Sequence, residues 1–581
     1  MDGRKHLIDR LRGTAEIDVL VIGGGINGVG VYRDLAAQGV AALLVEAGDF
    51  ASGTSAAPSR LIHGGLRYLE TGEVALVRES VEERNLLLLN APHYIRPIPT
   101  WVPLLSWTGG MAKAVARFFR LTRTPSAKGA FAVKAGLMLY DLFGERHRTM
   151  PKHRLLSRRA ARAEVPALAP SVRAVAEYYD ARITHPERLT MELVGDAERD
   201  CPASLAIPYL AAHGLEGGRV VLRDTLDGET FTIAPKLVIN TSGAWVDRVH
   251  GVLGIDQRLI GGTKGSHIVV RHPGLAAELG ERMLYFETAD NRACLIYRLG
   301  DDRLLLGTTD IRTEDPGDMV CSDAEIDYLF AVLRKVVPHA ALGRGDIVFS
   351  FAGVRPLPLT GNVVAGAISR DHSLRTYEPA PGRPFPMLSL VGGKWTTYRA
   401  CAAQIVDAAL PRLGRNRGTD LTRTPIGGGS GFPTAAAEQA AYGAALARRT
   451  GLGPDRAACL TLRYGSLAAE IAAAEAAAGG GCLTQLPDYS AAEISYICRN
   501  ERVTRLADVI LRRTLIAFEG GTGEAAVREL AGVVGAALGW SEATTAREIE
   551  ACLALLRDRH RVGGFGAAPP ATAARAVDAA E

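Results

Sequence analysis

Three glycines in the stretch IDVLVIGGGINGVG (17–30) stand at the spacing that handles a pyrophosphate. Gly23, Gly25 and Gly28 form G-x-G-x-x-G between a β-branched apolar run and a helical pattern. The first glycine permits a tight turn, the second lets backbone approach phosphate, and the third lets the helix pack on the strand. The helix start, with Asn27 in its first turn, would present unpaired N–H groups and about half a positive charge to the anion. A second apolar run, VAALLVE, ends in Glu46, at the place where an acid accepts from a ribose hydroxyl. Strand, glycines, helix, strand and acid in this order predict a dinucleotide site. The triplet alone does not separate FAD from NAD. A second run of related spacing, Gly521, Gly523 and Ala526, follows a segment of helical periodicity and reads as a loop between two helices.

Directly after the second strand comes TSAAPSRLIHGGLRYLE (54–70). Thr54, Ser55, Ser59 and Arg60 suit hydrogen bonds to phosphate and ribityl oxygens. Gly64 and Gly65 let the chain pass close to a flat ring system, which favours a cofactor contact for His63 over a satisfied core histidine.

The segment SRLIHGGLRYLE closely resembles the signature of FAD-dependent glycerol-3-phosphate dehydrogenases, with His63, Gly64, Gly65, Arg67 and Tyr68 matching in place. GGTKGSHIVV (261–270), LLLGTTDI (304–311), SFAGVRPL (350–357), AISRDHSL (367–374) and LSLVGGKWTTYR (388–399) follow in family order, and the likeness spans roughly residues 15–410. KLVINTSGAWVD (236–247) resembles the strand and turn over the adenosine half, with Ala244 where the family commonly has proline. Ala57 and Pro58 stand where serines are common, and DARITHPERL (180–189) matches loosely. The resemblance implies FAD as cofactor. It implies contacts from Leu61, His63, Gly65, Ser242, Gly243, Gly353, Gly393 and Lys394, beside the glycines, Asn27, Glu46 and the 54–60 segment. It also implies an α/β fold: a Rossmann-like FAD-binding domain of the glutathione-reductase or D-amino-acid-oxidase type, an interleaved mixed-sheet substrate cap, and an α-helical C-terminal domain.

The implied reaction takes hydride from C2 of sn-glycerol 3-phosphate and yields dihydroxyacetone phosphate. A phosphomonoester needs convergent cations, and arginine's planar fork matches its oxygens. The motifs supply Arg67, Arg355, Arg370 and Lys394, with Tyr68 and the Thr396 hydroxyl beside them. Hydride loss also requires a proton acceptor. His267, in KGSH, is the expected base because histidine titrates nearest neutral pH. Arg355 and Lys394 would stabilise the developing oxyanion. Erythritol phosphate as substrate, an oxidase that uses O₂, an amino-acid oxidase on the same fold (disfavoured, since one arginine would suffice for a carboxylate) and a non-catalytic flavoprotein are the competing readings.

No iron–sulfur cysteine set, haem motif or second nucleotide loop is evident, so electrons are expected to leave to a diffusible acceptor. Residues 111–124, MAKAVARFFRLTRT, place Met111, Val115, Phe118 and Phe119 at helical spacing, with Lys113, Arg117 and Arg120 on another face. Such a helix suits the interface of an anionic membrane and equally a helix packed on the core. The resemblance points to a peripheral protein on the inner face of the cytoplasmic membrane, reducing a membrane quinone. It leaves a homodimer open. The chain has 581 residues, 47% apolar and 22% charged, with a net charge of +4, which does not indicate a nucleic-acid partner. Its eight cysteines form no CxxC pair, so no metal site is expected, and its first residues lack an apolar run of signal-peptide length.

The elements that must position these residues fall into interleaved segments. Segments 14–90, 183–255 and 345–410 are expected to form the FAD-binding domain, and 91–182 with 256–344 the substrate cap. A linker over 414–434 precedes a helical domain at 425–566, and 567–581 reads as a disordered tail. RVVLRDTLDGETFTIA carries an Asp-Gly turn between two strand-like runs, a hairpin signature.

Overall fold

The computed structural model describes residues 3–71, 73–106, 130–144, 150–288, 292–360, 371–479 and 481–564. Its first sheet has eight strands. Glu16–Ile22 lies at its centre, parallel to Thr230–Asn240 on one side and to Ala42–Glu46 on the other. Leu205–Pro208 and Met387–Val391 extend it in parallel, and Ser373–Tyr377 closes one edge antiparallel. The continuous apolar runs fit strands covered on both faces. Helices Ile26–Ala37, Pro186–Asp200 and Tyr398–Ala409 share one core cluster with these strands. The predicted hairpin is present: Arg219–Asp224 pairs antiparallel with the start of Thr230–Asn240.

The second sheet has ten strands and is mixed. Ile95–Leu104 runs antiparallel to Ala174–Ile183 and parallel to Met283–Glu287. Thr263–Arg271 is flanked antiparallel by Arg303–Gly307 and Ile347–Arg355. This places Ile347–Arg355 in the second sheet, although 345–410 was expected to belong with the nucleotide-binding segments. Leu61–Ile62 also joins this sheet, on Ala174–Ile183. The segment with the double glycine therefore runs from the first sheet into the second.

Beyond residue 434 the chain is helical: Ala436–Thr450, Pro454–Tyr464, Ala468–Ala477, Ala491–Asn500, Glu524–Leu538 and Glu542–Asp558. The Gly521–Ala526 run lies where Glu524–Leu538 begins, after a π-helical turn, Val509–Arg513, and no strand precedes it. The segment before the helical domain is packed, not a loose spacer. Gly427 N–H donates to Asp196 (3.0 Å) and Gly428 N–H to Glu192 (3.2 Å). A Cβ on Gly428 would collide with Tyr464 O, and one on Gly429 with Asn90 O. Cys201, Cys294, Cys321, Cys401, Cys498 and Cys552 are buried, Cys459 is half-buried and Cys482 is exposed. Among the described residues no helix is long and apolar enough to cross a membrane. The tail 567–581 and the amphipathic stretch 111–124 lie outside the described residues.

Candidate active site

The glycine loop leaves the central strand and enters Ile26–Ala37 through Gly25, which brings no side chain to cap the helix. Its first-turn N–H groups are thus left to a ligand, apart from Ile26 N–H, which donates to Ser55 Oγ (3.0 Å). A Cβ on Gly28 would collide with Gly23 O, and one on Gly23 would lie 2.7 Å from Ser242 Cα. Backbone at Gly23 therefore meets backbone at Thr241 and Ser242 directly, and Thr241 Oγ1 donates to Gly23 O (3.2 Å). Ser242 Oγ donates to Asn240 Oδ1 (2.6 Å), which fixes the turn that includes Gly243. Glu46 accepts from Gly24 N–H (2.7 Å) and Gly48 N–H (2.9 Å). Burial raises its carboxyl pKa, and these N–H groups oppose the rise. Asn27 Oδ1 is buried with no hydrogen-bond partner among the described residues.

Residues 54–60 cross from the cradle to the second sheet. Thr54 Oγ1 donates to Val354 O (2.6 Å), and Trp395 Nε1 donates to Ser55 O (3.4 Å). Ser59 Oγ lies 2.8 Å from His267 Nε2. The Arg60 guanidinium is engaged within the protein. It donates to Thr184 O (2.5 Å) and to Glu187 (3.0 Å) and is almost fully buried, so its side chain does not serve as the phosphate donor the sequence suggests.

The pairing of Thr263–Arg271 with Ile347–Arg355 sets the next group. Its register puts Gly265 opposite Gly353, His267 opposite Phe351, and Thr263 opposite Arg355. Alternate residues of a strand share a face, so Arg355, Gly265, Gly353, His267 and Phe351 line one side. Gly265 is needed because a Cβ there would enter the Arg355 guanidinium. Arg355 donates to Thr308 Oγ1 (3.0 Å) and to Asp310 (3.2 Å). Gly353 faces Ala57, whose Cβ would be 2.6 Å from an added Cβ.

His267 is 1% exposed, and its ring stacks on Phe351 with centroids 4.9 Å apart. Burial first, then the Arg355 and Arg60 charges, push its pKa down to about 3. The ring is neutral at pH 7 but a weak proton acceptor, and its Nε2 is turned to Ser59. This low value weighs against the expectation that His267 takes the substrate proton, because a base matched to neutral pH needs a pKa near it. Its observed contact secures the 54–60 segment.

A third group forms where residues 61–71 meet 392–397. Gly65 has φ 74°, and an added Cβ would lie 2.5 Å from the Tyr68 ring. Lys394 Nζ sits 4.2 Å from the centre of the Tyr68 ring and 3.5 Å from Ser80 Oγ. The His63 and Tyr68 rings are 6.5 Å apart, and Thr396 Oγ1 donates to His63 O (3.4 Å). Gly393, at φ 99°, would bring a Cβ within 2.8 Å of Asn27 Nδ2, which ties this group to the cradle. Leu61 is buried at the strand edge before His63. The Arg67 side chain and all of Arg370 lie outside the described residues.

Residues 18–399 match the family model described as FAD dependent oxidoreductase, and 421–545 match the C-terminal domain of alpha-glycerophosphate oxidase. A glycerol-3-phosphate dehydrogenase of Synechocystis sp. is 38% identical over 86% of this chain and 89% of its own length. The chain belongs to the FAD-dependent glycerol-3-phosphate dehydrogenase family. A D-erythritol 1-phosphate dehydrogenase of Brucella abortus is 35% identical over 66% of this chain and 72% of its own. The fold matches a Bacillus halodurans glycerol-3-phosphate dehydrogenase complexed with FAD, at TM-score 0.71 and 23% identity, over 96% of this chain and 98% of that one.

As a member of this family the chain takes FAD, and its residues fit that cofactor. The helix start, to which Gly25 brings no capping side chain, suits an anion, and the orphaned Asn27 Oδ1 gives a buried acceptor in want of a donor. Sequence reasoning missed the partners that aim Arg355, namely Thr308, Thr309 and Asp310. They lie in the quoted LLLGTTDI motif, but nothing in the sequence pairs them with Arg355.

Proposed function

We propose that this enzyme oxidises sn-glycerol 3-phosphate to dihydroxyacetone phosphate and passes the electrons to a membrane quinone. The supporting observation is the meeting of Lys394, Tyr68, His63 and Thr396 beside Gly393, which abuts the cofactor helix at Asn27. FAD, when bound, supplies the hydride acceptor. In this reading Lys394 and Thr396, with Arg67 and Arg370, hold the phosphate and the developing oxyanion. The cation over the Tyr68 ring is strengthened by desolvation. His63, half-buried beside this group, replaces His267 as acceptor of the hydroxyl proton. Arg355, held by Thr308 and Asp310, contributes a fixed positive charge from the cap strand.

Anaerobic titration of the holoenzyme tests the reading. Sn-glycerol 3-phosphate should bleach the flavin at lower concentration than D-erythritol 1-phosphate, and glycerol should not bleach it. A flavin that no phosphorylated alcohol reduces would end the proposal. The likeness to the Brucella abortus enzyme supports erythritol phosphate as the second reading, and the same titration decides between them. The quinone assignment places the protein on the inner face of the cytoplasmic membrane. Three exposed apolar side chains flanking 107–129 support that placement: Leu105 (62% exposed), Met138 (59%) and Leu142 (59%). Flotation with anionic vesicles, and turnover with a quinone analogue without peroxide release, are the expected results. Peroxide in proportion to substrate would instead make it an oxidase.

A further inference from the structure

The segment from Asp49 to Arg60 carries Thr54, Ser55 and Ser59 past the cofactor cradle, and both its ends are held by the C-terminal helical domain. At its start, fully buried Asp49 accepts from Arg513 Nη2 (2.6 Å) and Nη1 (2.7 Å), and also from Arg512 Nε. Two residues on, Ala51 adopts φ 55°. At its end Arg60 adopts φ 53°, and its Cζ lies 4.0 Å from the centre of the Phe518 ring. Between them, Arg559 donates to Ser52 O (3.4 Å). Left-handed backbone at residues bearing a Cβ persists only where the surroundings over-determine it. Here such residues mark both ends of one segment, each beside a clamp from the same domain.

The contacts also close on themselves. Phe518 lies 5.4 Å from Phe351, Phe351 stacks on His267, and His267 meets Ser59 Oγ, next to Arg60 on Phe518. We propose that the C-terminal helical domain is the positioning element of the cofactor loop. Arg512 and Arg513 on Asp49, and Phe518 beneath Arg60, set residues 49–60 in the shape that receives FAD. Phe518, Arg512 and Arg513 are positioning residues that act through Asp49 and Arg60. The inference does not rest on which alcohol phosphate is oxidised.

The test is the FAD dissociation constant of full-length apoprotein, read by quenching of flavin fluorescence. Melting temperature and protease cleavage within 51–58 are followed alongside. Phe518→Leu keeps apolar bulk but removes the ring under Arg60, and should weaken FAD about tenfold and expose the loop to protease. Arg513→Lys keeps the charge but loses the planar fork, and should shift both readouts the same way. Ile471→Ala removes buried bulk from a satellite cluster of the same domain, away from the loop, and should leave FAD affinity unchanged while lowering the melting temperature. If Phe518→Leu folds poorly, Phe518→Tyr, which retains the ring, should restore affinity and protection together. FAD binding within about twofold of the parent in both loop variants would overturn the proposal. So would a loss of affinity that tracks melting temperature equally in Ile471→Ala.

Discussion

At the scale of single residues, two histidines separate by environment. His267 is sealed beneath Ser59 with its pKa at about 3, while His63 shares its surroundings with Tyr68 and Lys394. Stopped-flow flavin reduction should therefore fall roughly 10²–10⁴-fold in His63→Asn, the range for loss of a general base. In His267→Gln it should stay within about tenfold of the parent. The reverse order would return the base to His267. Gly265 permits a similar dissection of Arg355 without touching the arginine. In Gly265→Ala the new Cβ would displace the guanidinium from Thr308 and Asp310. Substrate KM should rise about 10–100-fold, as for a misplaced buried charge, and Arg355→Gln should add little to the double variant.

At the scale of elements, the glycines of 427–429 behave as contact residues. Gly428→Ala should drive a Cβ into Tyr464 O and lower stability by about 1–3 kcal/mol, the usual range for overpacking. Urea unfolding with an unchanged slope and a shifted midpoint would verify this. The sequence could not show it, because GGGSG without its partners looks like a flexible spacer. By contrast, the strand, glycine turn and helix of 17–37 were legible, since apolar periodicity and turn chemistry are local. The pairing of Ile347–Arg355 with Thr263–Arg271 was not. A short apolar strand carries no record of which sheet it joins, so the boundary expected at 345 separated two neighbours. The helical periodicity of RLADVILRRTLIAFE (505–519), before Gly521, likewise gives no sign of its clamps. Arg512 and Arg513 look like exposed charges on a helix, and their partner Asp49 is 463 and 464 positions away.

At the scale of the whole molecule, three buried histidines couple stability to pH. His267 and His560 are pushed down to about 3, and His185 well below its usual value, chiefly by burial. In the unfolded chain each titrates near ~6.5. Because the folded values are the lower ones, the unfolded state binds more protons between those limits. Stability is therefore complete above about pH 6.5 and is lost as pH falls toward 3. His267 and His560 should each cost about 2 kcal/mol at pH 5. Urea midpoints at pH 7 and pH 5 should show the fall, and His560→Gln should reduce it; equal midpoints would refute the coupling. The distribution of sulfhydryls gives this molecule a built-in clock of another kind. With Cys482 exposed and six others buried across both sheets and the helical domain, a maleimide should label Cys482 at once. The six buried ones should react only as their surroundings breathe. Mass spectra taken over hours would rank Cys401, Cys321 and Cys552 by their rates of appearance, and so report which layer of the enzyme loosens first.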